Sequence, residues 1–228
     1  AHPVEHRRAL LALALLAPVP SLGVASAMIF FPGPMGQTIF MAAKFWMLAF
    51  PFVWYLVVER GVPGWSPPRR SGIGAGLFTG FAAGAVIVIA ALVFGVFDME
   101  MNELIGEVDE MGLTTPTAYL IGALGWTFVN SLMEEIVYRW FIFSQAEKLM
   151  PRGAAVLTSA GVFTAHHVIA LSTYLPWHLT ALASLGVLIG GVIWSLLYSR
   201  YRSIWPGWIS HVMADVAVFG TGWWLVFG

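Results

Sequence analysis

The sequence predicts an all-α protein: a polytopic transmembrane helix bundle of about seven spans in a single integral domain, residues 1–228. Three observations predict it. Of 228 residues, 59% are hydrophobic and only 10% charged, against about 25% charged in a soluble domain. Apolar runs near the roughly 20 residues that cross a bilayer recur seven times, parted by short Pro-, Gly- or charge-bearing connections. The basic residues fall in alternate connections. The same pattern accommodates an eighth, divided span.

The elements follow in order. His6-Arg7-Arg8 precedes the first run, 9–31, which is long enough to remain as a span and gives no convincing cleavable signal. Pro32-Gly33-Pro34 breaks it. The second span is about 37–58, with Lys44 near its start, placed to snorkel to the interface. A proline-rich connection carries Glu59, Arg60, Arg69 and Arg70. The third span, 72–97, holds Gly76, Gly80 and Gly84, a small-residue stripe suited to close helix packing. The acidic segment from Asp98 to Glu110 puts Met101, Leu104, Ile105, Val108 and Met111 on one helical face. It reads equally as a short amphipathic helix on the membrane surface near 98–111 or as a solvated loop.

Thr115-Pro116 opens the fourth helix, 115–149, longer than one bilayer. Pro151-Arg152-Gly153 ends it. The fifth span is 154–174, and Pro176-Trp177-His178 turns the chain at the interface. The sixth is 179–198, with Gly186 and Gly190 as a second packing pair. The seventh is 204–227, where Trp205, Trp208, Trp223 and Trp224 fit aromatic belts. Arg7, Arg8, Arg60, Arg69, Arg70, Lys148, Arg152, Arg200 and Arg202 then share one side, while the connection at 98–110 has no Lys or Arg. By the positive-inside rule the amino terminus is cytoplasmic and the carboxyl terminus outside. Compact loops suggest a bacterial plasma membrane.

Composition excludes several functions. With no cysteine, disulfides, thiolate metal sites, iron–sulfur clusters and cysteine nucleophiles are absent. A net charge of −1 gives no reason to expect nucleic acid. The informative stretch is Leu132-Met133-Glu134-Glu135-Ile136-Val137-Tyr138-Arg139-Trp140, two carboxylates and a guanidinium inside an apolar run. Charge at bilayer depth is costly and marks a functional site.

The strongly polar groups predicted at depth are Glu134, Glu135, Arg139, His166, His167, His211 and Asp215, on helices four, five and seven. Counted at 1.5 Å per residue from the basic anchors, Glu134 lies roughly 21 Å in, His167 roughly 22 Å, and His211 and Asp215 roughly 14 and 20 Å. Three helices thus place ionisable groups in one slab. Glu135 and Arg139, at i and i+4, neutralise each other and are read as structural. Glu134, turned about 100° away, lacks that partner and is the candidate general base. His166 is read as capping a carbonyl, since only one of two adjacent histidines easily faces the interior. Tyr138, Trp140 and Phe163 are read as packing. A base with two imidazoles in a partly dry cavity suits water activation and oxyanion stabilisation, the chemistry of amide hydrolysis. There is no His-Glu-x-x-His zinc motif and no Gly-x-Ser-x-Gly elbow, and Asp215 alone cannot form an aspartyl dyad.

Glu134-Glu135-x-x-x-Arg139, Phe163-x-x-x-His167 and His211-x-x-x-Asp215 together resemble the three-motif signature of the CPBP family. This is the CAAX-protease and bacteriocin-processing family, also called Abi, which includes the type II CAAX prenyl endopeptidases. The resemblance spans about 125–219, with a catalytic core near 115–220. It implies an intramembrane endopeptidase in which Glu134 activates water with help from His167, and His211 with Asp215 stabilises the oxyanion. Glu135, Arg139 and Phe163 support the site. The family often has Asn where this chain has Asp215; a carboxylate there orients His211 instead. No cofactor is required in this reading. A zinc ion on Glu134, His167 and His211 is the alternative.

The implied partners are the bilayer and a membrane-associated protein or peptide substrate, prenylated or not. Two other classes compete. A non-proteolytic scaffold or immunity protein would keep its effect without Glu134. A proton-coupled carrier would need a polar path that spans one to three do not offer.

Overall fold

A computed structural model describes residues 3–61, 66, 70–98, 106, 109 and 112–228 of the chain. Among them the protein is all-helical, without strands, and contains seven helices long and apolar enough to cross a membrane. They are α1 (Pro3–Phe30), α2 (Pro34–Val58), α3 (Gly72–Val93), α4 (Pro116–Glu147), α5 (Arg152–Tyr174), α6 (Trp177–Tyr201) and α7 (Trp205–Phe227). The protein is an integral membrane helix bundle. The expected surface helix at 98–111 falls, apart from Asp98, Gly106 and Asp109, outside the described residues.

Helix boundaries follow the punctuation. Gly33, at φ 105°, turns the chain into Pro34 at the start of α2. Thr115 caps α4: its hydroxyl accepts the Ala118 amide at 3.2 Å, and Pro116 takes the first-turn position, where a missing N–H costs nothing. Pro151 and Pro176 precede α5 and α6. Arg202 ends α6 in the left-handed region, at φ 50°. Not every turn is α-helical. Ser26–Phe30, Trp54–Val58, Gly125–Asn130 and Glu135–Phe143 are π-helical. Helical periodicity in the sequence gives no sign of them.

α4 runs through the centre, against α1, α2, α5, α6 and α7. Its Val137, Tyr138 and Ile142 join Leu16, Met47, Phe163 and Trp194 in the core. In lipid, close packing rather than escape from water drives helix association, so small residues decide how near helices come. The glycine stripe of α3 lies on α7: a Cβ on Gly80 would meet Ser210 Cα at 2.9 Å, and one on Gly76 would meet Pro206 Cα at 3.0 Å. The expected pair on α6 is corrected. Gly186 meets nothing and Gly190 only its own helix's Trp194, whereas Gly191 lets Ala160 of α5 approach, 3.2 Å from a would-be Cβ. Two of the four belt tryptophans are hydrogen-bonded to neighbouring segments. Trp205 donates to the Ser66 carbonyl at 2.7 Å, and Trp208 to Ser131 Oγ at 3.1 Å, so both are tied inward by hydrogen bonds.

One end of the bundle is laced by charge. Lys148 and Gln145, near the end of α4, donate to Glu59 Oε1 at 2.7 and 2.8 Å. Arg202 grips Glu147 through two bonds of 2.6 and 2.9 Å. The ends of α2, α4 and α6 therefore lie together, as seven alternating spans require. Partial burial pushes the Glu59 carboxyl up, but the bonds from Lys148 and Gln145 outweigh it and hold the group below its usual range.

Candidate active site

The site lies where α4, α5 and α7 meet. Glu134 closes a short α-helical stretch, Ser131–Glu134, between the two π-helical stretches of α4. Such widened turns cluster at functional sites because they re-aim side chains at little cost in backbone bonding. The two carboxylates diverge here.

Glu135 is fully buried, and its Oε1 lies 3.2 Å from Arg139 Nη1. Arg139 is equally buried, with its guanidinium 4.5 Å from the Phe163 ring and 5.1 Å from the Trp194 ring. Aromatic faces stabilise a cation that water cannot reach. The same Glu135 oxygen lies 3.2 Å from His211 Nδ1. A carboxylate only accepts, so that nitrogen carries hydrogen and Nε2 faces Glu134 and Asp215. Trp194 stacks on the His211 ring, with centroids 3.9 Å apart and planes 17° from parallel. Gly207 makes room for this: a Cβ there would stand 2.6 Å from Glu135 Oε2.

Glu134 points the other way. Its Oε1 faces His166 Nε2 at 3.7 Å, and its Oε2 faces His211 Nε2 at 3.7 Å. These separations exceed a hydrogen bond. The ligand atoms of Glu134, His166 and His167 all lie within 4.8 Å of one another, a spacing that can hold a metal ion. Asp215 Oδ1 stands 3.7 Å from His211 Nε2.

The structure thus brings Glu134, Glu135, Arg139, Phe163, His167, His211 and Asp215 to one place. It corrects four expectations. Both adjacent histidines lie beside Glu134, with rings 4.1 Å apart. It is His167, not His166, whose Nδ1 bonds a carbonyl, that of Phe163 at 2.9 Å; His166 instead meets Glu134 and, through Nδ1, the Tyr138 hydroxyl at 3.1 Å. The metal-spaced trio contains His166 in place of His211. The partner orienting His211 at Nδ1 is Glu135, nearer than Asp215.

Lys44 is also displaced from its expected interfacial position. Its Nζ donates to Asn130 Oδ1 at 2.6 Å, and with His166 it lines a cavity of about 10 Å³. Sequence reading missed Lys44, Asn130, Tyr138 and Gly207 as parts of the site. Asn130 sits one turn before Glu134, the one signal that pointed to it.

No curated protein and no solved structure matches the chain. Residues 115–217 match the family model described as Type II CAAX prenyl endopeptidase Rce1-like. That stretch runs from the cap of α4 past Asp215, and so contains the whole α4–α5–α7 cluster. Over that stretch the chain is similar to the type II CAAX prenyl endopeptidase family.

Proposed function

We propose that the protein is an intramembrane endopeptidase that hydrolyses a peptide bond of a membrane-associated protein or peptide with a glutamate-activated water. The supporting observation is Glu134 itself: a buried carboxylate with an imidazole nitrogen 3.7 Å from each oxygen. In this reading Glu134 takes a proton from a water beside His166 and His167. The oxygen of that water bonds to the scissile carbonyl carbon. His211, in its protonated form, donates Nε2–H to the resulting oxyanion, while Glu135 holds Nδ1. As the C–N bond breaks, the proton on Glu134 passes to the leaving nitrogen. His167 donates Nδ1–H to the Phe163 carbonyl, which leaves its Nε2 as an acceptor for the water.

The metal-spaced trio supports a second reading. Zinc would sit on Glu134, His166 and His167 and would lower the pKa of a bound water. It requires His166 to bind through Nε2 while Nδ1–H donates to Tyr138. The same reading of the whole chain puts the Lys148–Arg202 end in the cytoplasm, with the amino terminus on that side and the carboxyl terminus opposite, in a bacterial plasma membrane.

The test is cleavage of a farnesylated CAAX peptide by the purified protein in lipid nanodiscs. Wild type cleaves it, and Glu134→Gln, still folded by its cooperative thermal unfolding, does not. Full activity in Glu134→Gln overturns the proposal. Activity that survives exhaustive chelation discards the zinc reading.

A further inference from the structure

We infer that Lys44 of α2, fixed by Asn130, is the counter-ion and positioning residue of Glu134, so that the reaction depends on a helix outside the stretch that matches the family. The inference begins with charge at depth. Two adjacent carboxylates on α4 require compensation in a low-dielectric interior. Glu135 has Arg139 at 3.2 Å. The other groups beside Glu134 are His166, His167 and His211, and a histidine is a cation only when protonated. Lys44 supplies the fixed positive charge on that side: it lines one cavity with His166, whose Nε2 stands 3.7 Å from Glu134 Oε1.

The geometry fixes the lysine in place. Its ammonium has only donors, so Asn130 must turn its oxygen to it, at 2.6 Å. Phe40, one turn earlier on α2, lies under the ammonium at 5.4 Å. Lys44 and His166 share a water-sized cavity otherwise lined by apolar groups such as Val24 and Met47. A snorkelling lysine would instead run to the interface, away from such a cavity. Asn130 neutralises nothing; it holds the ammonium one turn from Glu134. Glu135 thus has a direct ion pair and Glu134 a spaced one, which leaves its oxygens free for water.

The activity arm of the test rests on the proposed function; the stability arm does not. Lys44→Met, Lys44→Arg, Glu134→Gln and the double variant Lys44→Met/Glu134→Gln are compared in nanodiscs by thermal unfolding and by kinetics on a farnesylated CAAX peptide. Lys44→Met is expected to lower the melting temperature by about 5 °C, because it strands a buried charge. It is also expected to cut kcat by about tenfold with KM unchanged. Lys44→Arg restores both. In the Glu134→Gln background the same Lys44→Met change costs no melting temperature, since no charge is left to strand. An equal loss in both backgrounds, or an unchanged kcat in Lys44→Met, overturns the inference. Should wild type itself fail to cleave, the proposed function falls and the melting cycle alone decides the counter-ion.

Discussion

Glu134 and Glu135 are neighbours in the chain with opposite surroundings. Around Glu135 everything is close: Arg139 and His211 at 3.2 Å, aromatic faces on the guanidinium, and Gly207 leaving just enough room. Around Glu134 everything is spaced: two imidazole nitrogens at 3.7 Å and a lysine reached through an asparagine. A turn of about 100° between consecutive helical residues is enough to divide them. The tight half holds α4 to α7; the loose half has space for a reactant. A carboxylate held at 3.2 Å by a guanidinium and an imidazole can do little chemistry, whereas one with long contacts can accept a proton and pass it on.

The strongest way to break this comparison is to neutralise each carboxylate in turn. Glu134→Gln is expected to lower kcat by about 10⁴-fold with a smaller loss of melting temperature than Glu135→Gln. Glu135→Gln should lose stability and activity together, because it releases both Arg139 and His211. Peptide-cleavage rates and thermal unfolding in nanodiscs check the pair. Equal behaviour of the two variants would erase the distinction.

Next in size is Arg139→Met, which leaves Glu135 charged and buried without its partner. The expected cost is about 3–5 kcal/mol of stability. Making Glu135→Met as well should recover part of that loss, as a matched apolar pair often does, but not activity, since His211 stays untethered. Thermal unfolding of the single and double variants checks it; a double variant less stable than the single one would contradict the account.

The loose half can be sharpened through its histidines. The family resemblance assigns His167, and adjacency in the chain makes His166 a carbonyl cap, yet the structure sets both rings beside Glu134. Each of His166→Ala and His167→Ala is expected to lower kcat by about 10²-fold. A normal rate in His166→Ala returns that residue to a packing role.

How far these features were legible in the sequence depends on the physics behind each. The seven spans were legible because length and apolarity alone decide whether a segment crosses a bilayer, and the prolines at 34, 116, 151 and 176 marked four starts. The slab of Glu134, His167 and His211 was legible because depth follows from counting residues. Three things were not. The π-helical turns of 125–130 and 135–143 break the regular 3.6-residue period. The rule that one of two adjacent histidines turns away assumes a flat helix contact, and here Glu134 of α4 lies within reach of both. Lys44 was sent to the interface on the premise that water is the nearest polar partner, but Asn130 of α4 is nearer. Gly207 carries no pattern at all, since its need comes from Glu135 on another helix.

Gly207→Ala is a smaller test of the tight half. A Cβ at that position would stand 2.6 Å from Glu135 Oε2 and 3.6 Å from Trp194 Cβ. Either α7 retreats or Glu135 shifts, at about 1–3 kcal/mol. As His211 rides on α7, kcat should fall more than KM rises. Cleavage kinetics and melting check this; a neutral substitution would mean the contact is loose.

The smallest expected effect comes from Glu59 at the basic end, a carboxylate near water that serves as the reference for the two at depth. Burial raises it, and the bonds from Lys148 and Gln145 lower it further, for a net position below the ordinary range. A carboxyl lowered on folding stabilises the fold above its unfolded value, about pH 4.3, and loses that contribution as pH falls through the folded value. The ammonium of Lys148 is partly exposed, so the contribution is about 0.5–1 kcal/mol. Wild type should therefore melt slightly above Glu59→Gln at pH 7, and the gap should shrink below pH 4. A gap constant across that range would assign Glu59 the role of a neutral hydrogen-bond acceptor. It would also remove the premise that carboxylates in this bundle are held by charge.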